Sequence, residues 1–210
     1  MKICKYMSGI FLFIILLSGI FFGLLFCKPF YKLQYNTIAE IKFSQLSETE
    51  YVNYTMQIIN YFFNNSKFIS IKDSNGRKIN GFFTKDEILH MADVKNLIRF
   101  FFMLFIVSIP LFIICMKFVK FRIDLLRKVA FAGIVFVAVL FIISLFDFSK
   151  AFIVFHKLFF RNSLWLLPAS TKLIEMFPEK FFYNFTKIWL GIFFVVNGLI
   201  YFASFSLFNS

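Results

Sequence analysis

The chain has 210 residues, of which 60% are hydrophobic and only 16% charged, with a formal charge of +12 and a mean hydropathy of +0.79. Soluble domains usually carry about 25% charged residues, so this balance excludes an ordinary soluble domain and a polar disordered chain. The positive charge is spread along the sequence, which fits membrane topology and attraction to lipid surfaces rather than a nucleic-acid patch.

Four apolar runs, residues 6–27, 97–116, 129–146 and 187–208, are each long enough to cross a hydrocarbon layer of ~30 Å at 1.5 Å per residue. The 37 phenylalanines accompany abundant Ile, Asn and Lys, a mixture that AT-biased coding produces, so the aromatic content is given no chemical meaning. Lys2 and Lys5 precede the first run, as in a signal peptide. The run is too long for one, however, no small-residue cleavage site follows, and bulky Phe26 before Cys27 does not suit a lipoprotein signal. A retained anchor is expected.

Between the second and third runs stand Lys117, Lys120, Arg122, Arg127 and Lys128 against the single acid Asp124. The positive-inside rule then places both termini and this loop in the cytoplasm. The expected fold class is an all-α membrane protein with four transmembrane helices, N-in and C-in, and a small extracytoplasmic α+β cap. Residues 1–27 form the first transmembrane helix and 28–96 the cap. The second and third helices with their basic loop take 97–146, a further outer segment takes 147–186, and the fourth helix takes 187–210. Cys4 and Cys115 fall at the inner ends and Cys27 at the outer end, so no disulfide is expected and all three read as structural.

Within the cap, Ser47 and Glu50 have the spacing of a capping box. The helix they open runs to about Phe63, and its apolar positions Tyr51, Tyr54, Ile58 and Phe62 make one face, expected on the bilayer or on the spans. Residues 68–71 alternate, Asn75-Gly76 supplies a turn, and 77–82 returns, so a short hairpin is expected. Thr84 and Glu87 form a second capping box. It opens a helix that carries His90 and continues into the second span. Asp86 and Asp93 lie four residues before and three after His90, so either carboxylate is expected to reach the imidazole and fix its tautomer. The alternative is a solvated helix end with incidental charges.

His156, the other of the two histidines, stands in the apolar run Phe152-Ile153-Val154-Phe155-His156-Lys157-Leu158-Phe159-Phe160. A polar group there costs a few kcal/mol unless it is hydrogen-bonded, so the expected setting is a protein cavity or the membrane interface. Trp165 and Pro168 then lead to a short helix, with Ser170 or Thr171 as its cap, ending near Pro178. Trp165 and Tyr183 also suit an interfacial aromatic belt.

The stretch Glu87-x-x-His90-Met91-x-Asp93-Val94-Lys95 followed by a span, and the later stretch Phe155-His156-x-x-Phe159-Phe160-x-Asn162-x-x-Trp165 with Phe177-Pro178-Glu179, resemble the two signature blocks of the lipoprotein intramolecular transacylase (Lit) family. Ser163 departs from the family pattern where an acid is expected, and 167–172 lacks the family's acids there. The resemblance implies a bacterial cell-membrane acyltransferase whose substrate is a diacylglyceryl lipoprotein. The sn-2 acyl chain would move to the α-amino group of the N-terminal cysteine, giving the lyso form, with the active site facing the extracytoplasmic side. It also implies His90 and His156 as the acid–base pair, with His90 the preferred base, His156 the acid or oxyanion group, and the two roles exchangeable. Asp93, Asp86 and Glu87 would orient or support, and Asn162, Arg161 and Trp165 would hold substrate or stabilise an oxyanion. Membrane lipid is the other expected partner. No cofactor, metal or nucleic acid is expected, and the sequence leaves the oligomeric state open. Two other classes remain: a scaffold that binds an exported partner, and a membrane protein ligating haem through both histidines.

Overall fold

The computed structural model describes residues 2–118 and 123–206. Lys120 and Arg122 of the expected cytoplasmic loop, and the end of the fourth expected span from 207, lie outside the described residues. The chain forms α1 (Lys2–Leu25), α2 (Lys28–Thr37), a 3₁₀ turn (Ala39–Ser44), α3 (Glu48–Phe63), α4 (Lys85–Phe118), α5 (Ile123–Phe146), α6 (Phe148–Phe159), α7 (Lys172–Met176) and α8 (Glu179–Ser206). Three helices are long and apolar enough to cross a membrane, over Ile3–Leu25, Lys85–Phe118 and Glu179–Ser204. The remaining apolar run, 129–146, lies within α5.

α4 has 34 residues and so extends ~51 Å at 1.5 Å per residue, more than the ~30 Å hydrocarbon layer requires. Its first turns carry Lys85, Asp86, Glu87, His90, Asp93 and Lys95, and the apolar stretch starts only at Leu97. His90 therefore precedes the apolar part of its own helix.

The chain divides into two compact units. The first comprises Met1–Gly23, Phe101–Phe148 and Thr186–Ser210. Its helices interlock through aromatic edges: Phe13 of α1, Phe136 of α5 and Phe193 of α8 meet with centroid distances of 5.5, 5.6 and 6.4 Å. Phe21 packs edge-on against Trp189, whose indole N–H donates to the Leu17 carbonyl at 3.0 Å. The phenylalanine content given no chemical meaning from composition thus has a structural use, because edge-to-face pairs add about 0.5–1.5 kcal/mol beyond the area they bury. Asn197 is fully buried in α8 and packs on Gly133 of α5, so closely that a Cβ at 133 would stand 2.5 Å from the carboxamide oxygen.

The second unit comprises Leu24–Phe100 and Ser149–Phe185. α3 runs through its centre. The Ser47 hydroxyl accepts from the Glu50 amide and the Glu50 carboxylate accepts from the Ser47 amide, so the capping box forms. Tyr51, Tyr54, Ile58 and Phe62 are buried together with Val52, Thr55, Ile59 and Tyr61 beside them, while Asn53 and Asn60 on the opposite side are exposed. The face expected against the bilayer is therefore enclosed by protein. At the far end of α3, Lys95 of α4 donates to the Asn64 and Ser66 carbonyls at 2.7 Å each, and Arg99 donates to the Phe62 carbonyl at 2.8 Å. These cations satisfy carbonyls left over at a helix C-terminus, where the dipole favours positive charge.

The expected hairpin is not a pair of strands. No regular strand occurs among the described residues, and a single antiparallel bridge joins Lys72 and Lys78. The turn itself is as expected, with Gly76 at φ +78 and the Asp73 carboxylate accepting from the Asn75 and Arg77 amides. The bridge is flanked by the Asp73 amide donating to the Arg77 carbonyl and the Ile79 amide to the Ile71 carbonyl, so the backbone groups of Lys72 face away from the return segment and meet Gln57 of α3. Its side chain donates to the Lys72 carbonyl and accepts from the Lys72 amide, at 2.9 and 2.8 Å, taking both backbone groups of that residue. Gly81, at φ +72, then bends the return segment away before α4.

Candidate functional site

His156 sits in the last turn of α6 and is only 8% exposed. Its Nδ1 lies 2.7 Å from the carbonyl oxygen of Phe152, one turn earlier. A carbonyl only accepts, so Nδ1 carries the proton and the Nε2 lone pair is left available as a base. The imidazole is also fixed sideways by rings, with Trp165 stacked at 5.0 Å and Phe152 at 4.3 Å. Burial lowers its pKa, partly opposed by the bond to Phe152.

His90 is brought to the same place by α4. Thr84 and Glu87 form the expected capping box: the Thr84 amide donates to the Glu87 carboxylate at 2.6 Å and the Thr84 hydroxyl accepts from the Glu87 amide at 3.3 Å. His90 follows on the buried face, 7% exposed, with its ring centroid 6.2 Å from that of His156. Burial, and then the neighbouring His156, push its pKa down to about 4, against a smaller opposing pull from Asp93. Its Nδ1 is buried without a hydrogen-bond partner.

The expected carboxylate partner for His90 is not realised. Asp86 is exposed, and Asp93 instead accepts from the Asn162 carboxamide at 2.8 Å. The other end of Asn162 accepts from the Leu164 amide at 3.1 Å, so the turn leading to Trp165 is tied to α4 rather than left free. Arg161 is exposed beside it. Glu87 does more than cap its own helix, because its other oxygen accepts from the Leu173 amide at 2.6 Å. One fully buried carboxylate thus serves the N-termini of α4 and α7. Thr171 does hold the N-cap position of α7, but its hydroxyl donates to the Pro168 carbonyl and makes no cap bond.

Two contributors lie outside the residues expected from the sequence. Phe160 is buried with its ring 5.2 Å from His90 and 5.6 Å from His156, joining the two imidazoles through one apolar wall. The Phe152 carbonyl fixes the His156 tautomer; the four-residue spacing to His156 is the signal that points to it. Among the described residues, no three of His, Cys, Asp and Glu cluster as metal ligands.

The site therefore offers two neutral, ring-enclosed imidazoles, one with a defined basic nitrogen, next to a turn clamped to α4. The family model of the lipoprotein intramolecular transacylase Lit matches residues 6–182. The chain belongs to the Lit family. Its fold is that of a Lit enzyme: the membrane integral Lit of Bacillus cereus superposes with a TM-score of 0.79 at 19% identity, covering 99% of this chain and 95% of that one. A variant of the same Bacillus cereus Lit, with one histidine replaced by alanine, superposes with a TM-score of 0.75 at 18% identity, over 99% and 93% of the two chains. A relative from Aquifex aeolicus (strain VF5), described as an uncharacterized protein, is 29% identical over 138 residues. That match takes in 65% of this chain and 62% of the relative, so the chain spans just under two thirds of the relative's length.

Proposed function

We propose that this Lit family member moves the sn-2 acyl chain of a membrane-anchored diacylglyceryl lipoprotein to the α-amino group of the lipoprotein's own N-terminal cysteine. The convergence of His90 and His156 on one enclosed spot supports this reading most directly. A reaction that removes a proton from an amine and returns one to an alkoxide needs an acid–base group with a defined lone pair, close to a second hydrogen-bonding group.

In the proposed mechanism the neutral amine attacks the ester carbonyl, and His156 Nε2 takes the proton that the nitrogen sheds. Oxygen-to-carbon bond cleavage follows, and the same imidazolium protonates the departing glyceryl oxygen. His90, kept neutral by burial, donates an N–H to the oxyanion. These roles exchange those preferred from the sequence, because the Phe152 carbonyl orients His156 whereas no carboxylate bonds to His90. Asp93 and Asn162 hold the Trp165 turn against His156, and Glu87 holds α7 on α4. Amine and ester belong to one molecule, so their effective concentration is already high and the enzyme's share is orientation.

In this reading α1, the apolar part of α4, α5 and the apolar part of α8 are four crossings with both ends cytoplasmic. The histidines then lie at the outer headgroup level, where such an ester lies. The test is expression in a host that lacks lyso-form synthesis, followed by mass spectrometry of the N-terminal lipopeptide. The expected product carries an amide-linked acyl chain and a monoacylglyceryl thioether, with the total acyl mass unchanged. A lipopeptide that keeps its diacylglyceryl group and free amine at full expression contradicts the proposal.

A further inference from the structure

α6 presents two opposite faces. Phe152, His156 and Phe160 recur every four residues and point into the protein, where His156 and Phe160 are 8% and 7% exposed. On the far side Val154 and Leu158 are 63% and 73% exposed, flanked by Phe155 at 44%. A second flank is basic, with Lys157 on the helix and Arg161 just beyond it, both exposed. Twelve residues extend only ~18 Å, too short to cross a bilayer. A short helix with a bare apolar stripe beside a basic edge is the pattern of a helix lying in the membrane interface.

From this we infer that α6 is an in-plane bilayer-binding helix, with Val154, Phe155 and Leu158 in the acyl region and Lys157 and Arg161 at anionic lipid headgroups. The occupant is the bilayer itself, rather than a second copy of the chain or a protein partner. Only Asp147 separates α6 from α5, so the stripe starts where an apolar helix of the proposed membrane-crossing set ends, and the basic edge complements an anionic leaflet. This inference rests on the proposed crossing by α5. It adds that the depth of His156 is set by lipid, since the imidazole lies on the same rigid helix as the inserted stripe.

The experiment uses the full chain in vesicles of phosphatidylglycerol and phosphatidylethanolamine, in a background with Cys4, Cys27 and Cys115 replaced by Ser. Nitroxide labels are placed at Val154→Cys, Leu158→Cys and Lys157→Cys, with Val135→Cys and Val139→Cys on the exposed side of α5 as controls. The ratio of collision rates with oxygen and with a water-soluble nickel chelate is expected to be high at 154 and 158, matching the α5 controls, and low at 157. Labels at 154 and 158 that favour nickel while the α5 labels favour oxygen overturn the α6 inference and leave the crossing intact. Labels at 154 and 158 shielded from both reagents indicate a protein partner or a second copy, and also overturn it. Nickel access at 135 and 139 overturns the proposed crossing and the inference with it. A readout that keeps the cysteines replaces Leu158 by Trp: brominated acyl chains should quench the added fluorescence, and unquenched emission counts against the inference.

Discussion

The rings of His90 and His156 lie with their centroids 6.2 Å apart and their planes inclined by 31°. A proton on either opposes a proton on the other, and burial penalises both charged forms. His90 is pushed to about 4 and His156 is lowered as well. Both are thus neutral at pH 7.

The pH profile follows from that. The substrate's α-amino group titrates near ~8, so the rate of lyso-form production should rise with a slope of about one in log units as free amine appears, and should keep that slope to below the ordinary histidine value of ~6.5 because burial lowers His156. A base with the ordinary histidine value of ~6.5 would add a second proton and steepen the slope toward about two below that pH. The measurement is initial rate against pH in vesicles, and the steeper limb would show that His156 keeps an ordinary pKa in the working enzyme. Stability should follow the same sign. The unfolded chain takes up protons from about pH 6.5 downward that the folded pair refuses, so folding stability falls as pH drops through that range.

The Asp93–Asn162 bond should behave as one positioning unit. Asp93→Ala and Asn162→Ala are each expected to lower kcat about tenfold with little change in KM, and the double variant should be no worse than either single one. Additive losses in the cycle would mean that the two residues act separately on substrate.

Glu87 accepts two backbone N–H bonds, one on each oxygen. Glu87→Gln leaves one acceptor and turns an NH₂ group toward an amide donor, so it should cost nearly as much as Glu87→Ala, about 1–3 kcal/mol for an unmet buried group. Thermal unfolding in detergent checks this. A Gln variant as stable as the wild type would show that one of the two bonds is dispensable.

Much of this site is legible where the signals are local. Both capping boxes, Ser47 with Glu50 and Thr84 with Glu87, depend on residues three apart, and the two histidines stand out within their flanking motifs. The contacts without a local signal join distant positions: Gln57 to Lys72, Glu87 to Leu173 and Asp93 to Asn162. Periodicity gives α3 one apolar face, and Thr55 and Tyr61, which flank it, are buried with it while Asn53 and Asn60 opposite stay exposed. The two-faced pattern is therefore right about α3, and what it leaves out is that the apolar face meets protein rather than lipid.

In the helix bundle, Gly133→Ala should be costly. The added methyl would stand 2.5 Å from the carboxamide oxygen of Asn197, which is fully buried and whose NH₂ group already donates to the Phe193 carbonyl. Overpacking of this kind costs about 1–3 kcal/mol. Combining it with Asn197→Ala opens the space and should recover most of the loss in thermal unfolding; a double variant less stable than Gly133→Ala alone would show that Asn197 supports the bundle in another way.

The central claim is that His90 and His156 act together on one ester, and the most direct test compares lyso-form production by the wild type, His90→Ala, His156→Ala and the double variant at matched membrane abundance. Each single substitution is expected to lower the rate by at least ~10²-fold, the scale of positioned acid–base catalysis. The double variant should fall no further than the worse single one, as expected for residues that work as a unit. A single variant that keeps a rate within about tenfold of the wild type would contradict the claim.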